Sequence, residues 1–162
     1  MPNNNVTLNQ LSSFIYRIMD KGIQPSSEGI VVEKSASVEE EVLRLVNIER
    51  AKEGIPPLEM DWELARVAES RSQDMHDENY FSHTSPIYGS WADMMESAGI
   101  SYKAAGENIA KGQTTATQVV NDWMNSPGHR ANIMNSNYTH IGIGHVKSSY
   151  FNTYWTQLFI AK

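Results

Sequence analysis

The sequence predicts an α+β domain. Helix-period apolar patterns come early, and β-rich segments that alternate or run apolar come late. Gly and Pro clusters separate the elements, and no internal repeat is visible.

Taken in chain order, residues 1–36 form an expected N-terminal helix and linker. Leu8, Leu11, Ile15, Ile18 and Met19 share one helical face, with Thr7 as N-cap and Gly22 beyond the end. Residues 22–36, with Pro25, Ser26, Ser27 and Gly29, read as the linker. The compact domain is expected over residues 37–162. Ser37 and Glu40 form a capping box, Val38, Val42, Leu45 and Val46 a buried stripe, and Gly54 with Pro56 and Pro57 stops that helix. Asp61 caps a second helix, with Leu64, Ala65, Ala68, Ser72 and Met75 facing inward, running to about Asn79. Ser90 opens a third helix through Ser97, ended by Gly99. Thr115 or Thr117 opens a fourth, with Val119, Val120, Trp123 and Met124 inward, ended by Pro127 and Gly128. Strands are expected at 105–110, 141–146 and 154–160, the last two joined by a loop over 147–153. The four tryptophans, Trp62, Trp91, Trp123 and Trp155, are expected in the core or its seams.

Composition narrows the function. The chain has 162 residues, 40% hydrophobic and 20% charged, which is ordinary for a globular domain. The net charge is −6. Arg17, Lys21 and Lys34 cancel Asp20, Glu28 and Glu33, so the acidic excess lies within 37–162 and nucleic acid is not an expected partner. The absence of cysteine removes disulfides, thiolate metal sites and Cys nucleophiles together. No apolar run is long enough to cross a membrane, and Met1 to Asn5 lacks the start of a secretory leader.

Three separated segments carry the polar chemistry. They are Tyr80-Phe81-Ser82-His83, Gly106-Glu107-Asn108-Ile109-Ala110 and Ser126-Pro127-Gly128-His129-Arg130. Two imidazoles and a carboxylate can bind a divalent metal such as zinc, leaving an open position, or can move protons. The spacing alone equally allows hydrogen-bonded structural residues, since no two ligands share a helical face. Ser82, Ser85 and Ser126 lack a nucleophile-elbow context and read as turn or cap residues. Asn108 reads as a tie for the backbone near Glu107. Arg130 is expected to pair with an acid, His76 to face solvent, and His140 and His145 to lie on a strand face or edge.

These segments, with Asn47-x-x-Arg50, Trp123-Met124-Asn125 and Thr156-Gln157, resemble the CAP superfamily over roughly residues 38–162. This is the group of cysteine-rich secretory, antigen 5 and pathogenesis-related 1 proteins, here in a cysteine-free bacterial form. The resemblance implies a CAP-type α-β-α sandwich with a small antiparallel sheet. It also implies an extracellular or cell-surface location, with the leader upstream of this sequence. A cleft of His83, Glu107, Asn108, Ser126 and His129 is implied, with His83 and His129 as candidate metal ligands and Glu107 as the candidate catalytic group. The second acid of that cleft falls on Ser126 here. Residues 7–17 also resemble the closing helix of a surface-layer homology repeat, with Leu8 in place of an expected Arg, which implies wall attachment through upstream modules.

Three functions follow from these readings. The favoured one is a non-catalytic surface module that binds a peptide, lipid or cell-wall ligand, with or without zinc. The second is a metal-dependent hydrolase using His83, Glu107 and His129. The third is a structural or adhesive domain whose polar cluster only locks the seam between helices and sheet.

Overall fold

A computed structural model of the chain describes residues 35–149 and 152–162. The expected N-terminal helix, the linker up to residue 34 and the surface-layer resemblance lie outside them. Residues 36–162 form one compact unit.

Helix α1 (Val38–Lys52) starts on the expected capping box, in which the Ser37 hydroxyl accepts from Glu40 N and the Glu40 carboxylate accepts from Ser37 N. After the short strand β1 (Glu59–Met60), Asp61 caps α2 (Trp62–Asp77), accepting from Leu64 N at 3.0 Å. A two-strand ribbon, β2 (Thr84–Ser85) with β3 (Gly89–Ser90), leads into α3 (Trp91–Ser97), itself opened by a Ser90–Asp93 capping box. Strand β4 (Ala104–Lys111) precedes α4 (Ala116–Met124), α5 (Pro127–Ile133), β5 (His140–Ser149) and β6 (Asn152–Ala161).

The main sheet runs in the order β1-β5-β6-β4. Every pair is antiparallel except β1 with β5, which is parallel. Along β6 the side chains alternate between layers. Trp155 and Phe159 join Val42, Val46, Val119, Val120 and Ile133 beneath α1, α4 and α5. Leu158 and Ile160 join Leu64, Val67, Ala68 and Met95 beneath α2 and α3. Helices cover both faces, which is the expected α-β-α sandwich.

Two glycines set how close α2 lies to the sheet. A Cβ on Gly142 would stand 2.4 Å from the Leu64 carbonyl carbon, and one on Gly144 would stand 2.2 Å from that of Ala68. Both point at α2, so the helix backbone rests directly on β5. Strand β4 lies at the sheet edge. Its Glu107 and Ile109 carbonyls accept from Asn132 Nδ2 at 3.1 Å and Trp123 Nε1 at 3.2 Å.

Several expectations need correction. Pro127 and Gly128 do not merely end a helix: α4 stops at Met124, and Pro127 sits at the first turn of α5, where its missing N–H costs nothing. His129 is therefore helical. Glu107 lies in mid-strand. Strand pairing continues to Ser149 and Asn152, so the expected loop over 147–153 is mostly ladder. Trp62 is exposed, because the first residue after the Asp61 cap points away from the sheet. Trp123 and Trp155 are buried as expected.

Candidate functional site

Helix α2 brings a charge into the interior. Arg71 follows Leu64 and Ala68 on the inward face and has no exposed surface. Its guanidinium donates Nε to Glu107 Oε2 at 2.9 Å and Nη2 to Glu107 Oε1 at 3.1 Å. The remaining donors reach Tyr80 Oη at 2.9 Å and the Ser82 carbonyl at 2.8 Å. Burial works against the Arg71 charge, and the Glu107 carboxylate and Tyr80 more than restore it, so its pKa lies above the ordinary value. Tyr80 also donates to Asp74. Burial and the Asp74 bond raise its phenol pKa, so the hydroxyl stays protonated.

Glu107 is thus held by a buried fork, and His83 completes the set. His83 Nδ1 lies 2.7 Å from Glu107 Oε1, while the side chains are 56% and 0% exposed respectively. A carboxylate paired with Arg⁺ only accepts, so Nδ1 carries the proton and the lone pair of neutral His83 sits on Nε2.

His129 approaches from α5. Burial, and then the charge of His83, depress its pKa. Asn108 Nδ2 donates to the His129 carbonyl at 3.0 Å and to Gln157 Oε1 at 3.1 Å, and Asn108 Oδ1 accepts from Asn132 Nδ2 at 2.9 Å. The three segments do converge. Their roles differ from a shared ligand shell, however. Asn108 has no exposed surface, and the Glu107 side chain has none either. Ser126 is half-buried at the N-cap of α5, where its side chain makes no capping bond.

Among the described residues, no group of three His, Asp or Glu side chains is arranged to hold a metal ion. Glu107 is the carboxylate that orients His83 from behind.

Other polar residues serve the scaffold. Arg50, also unexposed, donates to the carbonyls of Pro56, Ile133, Asn135 and Tyr138. Asn47 bridges both backbone groups of Leu58. Ser85 Oγ accepts from Ile87 N and Tyr88 N, the turn role expected of it. Arg130 pairs with Glu53. His76 is only half-exposed, held by Asp77 and edge-on to Tyr154, and His145 stacks on Trp155 at 3.9 Å. Sequence reasoning missed Arg71, Tyr80, Asp74 and Asn132 as site residues. Arg71 was findable: an arginine spaced from Leu64 and Ala68 at helical period falls on the buried stripe and needs a buried anion.

An α-β-α sandwich whose edge strand offers a carboxylate to an imidazole defines a class, and the comparisons give the same answer. The family model described as CAP, the cysteine-rich secretory protein family, matches residues 43–159. The uncharacterized protein YkwD of Bacillus subtilis is 57% identical over 127 residues, covering 78% of this chain and 48% of that protein. The crystal structure of an extracellular protein containing an SCP domain from Bacillus anthracis is 37% identical, with a TM-score of 0.72 over 77% of this chain and 40% of that one. An outer surface protein from Borrelia burgdorferi shares the fold at 24% identity, with a TM-score of 0.69 over 75% of this chain and 90% of that one.

The chain belongs to the CAP family, in a form without cysteine. It spans about half the length, or less, of the Bacillus relatives it matches.

Proposed function

We propose that this domain is a non-catalytic binding module, secreted or held at the cell surface, that takes a peptide, lipid or cell-wall ligand in the cleft at His83 and His129. The observation that carries this reading is the commitment of Glu107. Both its oxygens accept hydrogen bonds, from Arg71 and His83, and its side chain is fully enclosed. Glu107 is thereby kept from taking a proton from water or entering a coordination shell, and the position of a second acid is Ser126. His83 and His129 would hold a divalent metal, which would act as a Lewis-acid grip on an anionic ligand group. Their own part is to present ring nitrogens, which Glu107 arranges for His83. The surface location is supported by the extracellular and outer-surface descriptions of two structural relatives. Attachment to the wall through modules outside this sequence belongs to the same proposal.

The hydrolytic alternative has one observation in its favour: a carboxylate bonded to Nδ1 also orients an imidazole general base. Calorimetry with zinc chloride at a pH above about 7 separates the readings, since protonated imidazole does not coordinate. Micromolar binding that disappears in both His83→Ala and His129→Ala supports the metal-assisted module. Absence of heat with the parent chain removes the metal from it. Zinc-dependent turnover of a peptide or wall polymer by the parent chain, lost in His83→Ala, overturns the non-catalytic reading.

A further inference from the structure

One hollow in the domain lies away from the two histidines. It is a groove of about 940 Å³ between α2, α3 and the turn at Ile87 and Tyr88, and none of His83, Glu107 and His129 lines it. That volume falls at the upper end of the roughly 300 to 1,000 Å³ found for ligand sites. Two features of its wall are independent of each other. One is apolar. Ile87 and Tyr88 are 57% and 59% exposed, although their turn is fixed by the Ser85 hydroxyl, and Met94 and Ile100 continue the surface from α3. The other is electrostatic. Glu63, Glu69, Asp74, Asp77 and Glu78 face the groove against one cation, Arg66. Glu63, Glu69 and Glu78 join no ion pair among the described residues. Exposed apolar side chains facing carboxylates that join no ion pair complement a cationic amphipathic segment.

We propose that this groove binds an extended peptide segment that alternates Lys or Arg with aliphatic residues. The apolar side chains would rest on Ile87, Tyr88 and Met94. The cations would meet Glu63, Glu69 and Glu78, with the Tyr88 ring offering a further cation contact. An anionic or purely aliphatic ligand does not fit, because it would desolvate these carboxylates without a partner. A second copy of this chain is disfavoured for the same reason, since a net charge of −6 repels its like.

The test is fluorescence anisotropy of the full 162-residue chain with a short labelled peptide alternating lysine and leucine. Two control peptides accompany it, one with glutamate for lysine and one with serine for leucine. Saturable binding of the first peptide alone, weakening as salt rises, is expected. Glu63→Gln combined with Glu69→Gln should weaken it about fivefold, and Tyr88→Ser should weaken it at every salt concentration. All three positions are exposed, so unchanged thermal melting certifies that the variants fold. Failure of the first peptide to bind overturns the proposal, as does equal binding of the glutamate peptide or indifference to both variants. Concentration-dependent dimerisation that Tyr88→Ser abolishes overturns it too, in favour of a second copy.

Discussion

Arg71 and Glu107, 36 residues apart in the chain, form a two-point ion pair at 2.9 and 3.1 Å with no exposed side-chain surface on either partner. The pair joins α2 to the edge strand and fixes the carboxylate on which His83 leans. Its energetics are asymmetric: a buried pair adds little net stability, whereas one partner left alone is expensive. Glu107→Ala should therefore cost about 3–5 kcal/mol, and Arg71→Met a similar amount. The double variant Arg71→Met with Glu107→Leu should recover much of that loss. Urea denaturation of the two singles and the double is the check, and simple additivity would refute the coupling.

Gly144→Ala should destabilise the domain by about 1–3 kcal/mol or more. The added methyl would stand 2.2 Å from the Ala68 carbonyl carbon and 2.3 Å from its oxygen, both backbone atoms that move only with the whole helix. Thermal unfolding reads the loss. Because Arg71 rides on the same helix, zinc or ligand affinity at His83 should fall with it.

Arg50 cannot be replaced by lysine. Four carbonyls accept from its guanidinium, and a single ammonium on a different stem does not reach them all. Arg50→Lys should lose nearly as much as Arg50→Met, each by several kcal/mol, since an unsatisfied buried acceptor costs about 1–3 kcal/mol. Chemical denaturation distinguishes this from a role through charge alone, in which lysine would rescue.

Acid should weaken the fold through two histidines. Burial and then His83 depress the His129 pKa. Burial, opposed by Glu39 and aided by Lys147, depresses that of His145, which also stacks on Trp155. A group with a depressed folded pKa takes up protons first in the unfolded chain. Its destabilisation is thus absent above about pH 6.5, the ordinary histidine value, and grows below it until the folded pKa is passed. Melting temperatures at about pH 7.5 and 5.5 should fall less in His129→Gln and His145→Gln than in the parent chain.

Nitrogen NMR of the imidazoles should find neutral His83 as the Nδ1–H tautomer, because the Glu107 carboxylate accepts a hydrogen bond from Nδ1–H. Glu107→Gln should relax this preference. An Nε2–H form in the parent chain would show that the His83–Glu107 bond does not hold in solution.

Much of the fold was legible because local signals and burial agree. Ser37 with Glu40, Asp61 and Ser90 each open the helix their side chains predict, and of the two candidates Thr115 and Thr117 it is Thr115 that caps the fourth. What escaped was decided by tertiary contact or by a shared signal. Pro127 reads as a stop and a start alike, and only packing of Ile133 in the core shows that a helix follows. Strand β1 has two residues, too few for any period to show, and exists because β5 offers it a parallel partner. At the site, His83, Glu107 and His129 were readable as a set through family resemblance. The division of labour among them was not, because helical spacing places Arg71 on the buried stripe but only the fold shows that its anion is Glu107.

The edge of the sheet carries one more consequence. A terminal strand with open carbonyls invites a neighbouring chain to dock and extend the ladder. Along β4 the Glu107 and Ile109 oxygens are already claimed by the Asn132 amide and the Trp123 indole. Two side chains stopper this border, so fibril-like growth from it is discouraged even when the protein is crowded.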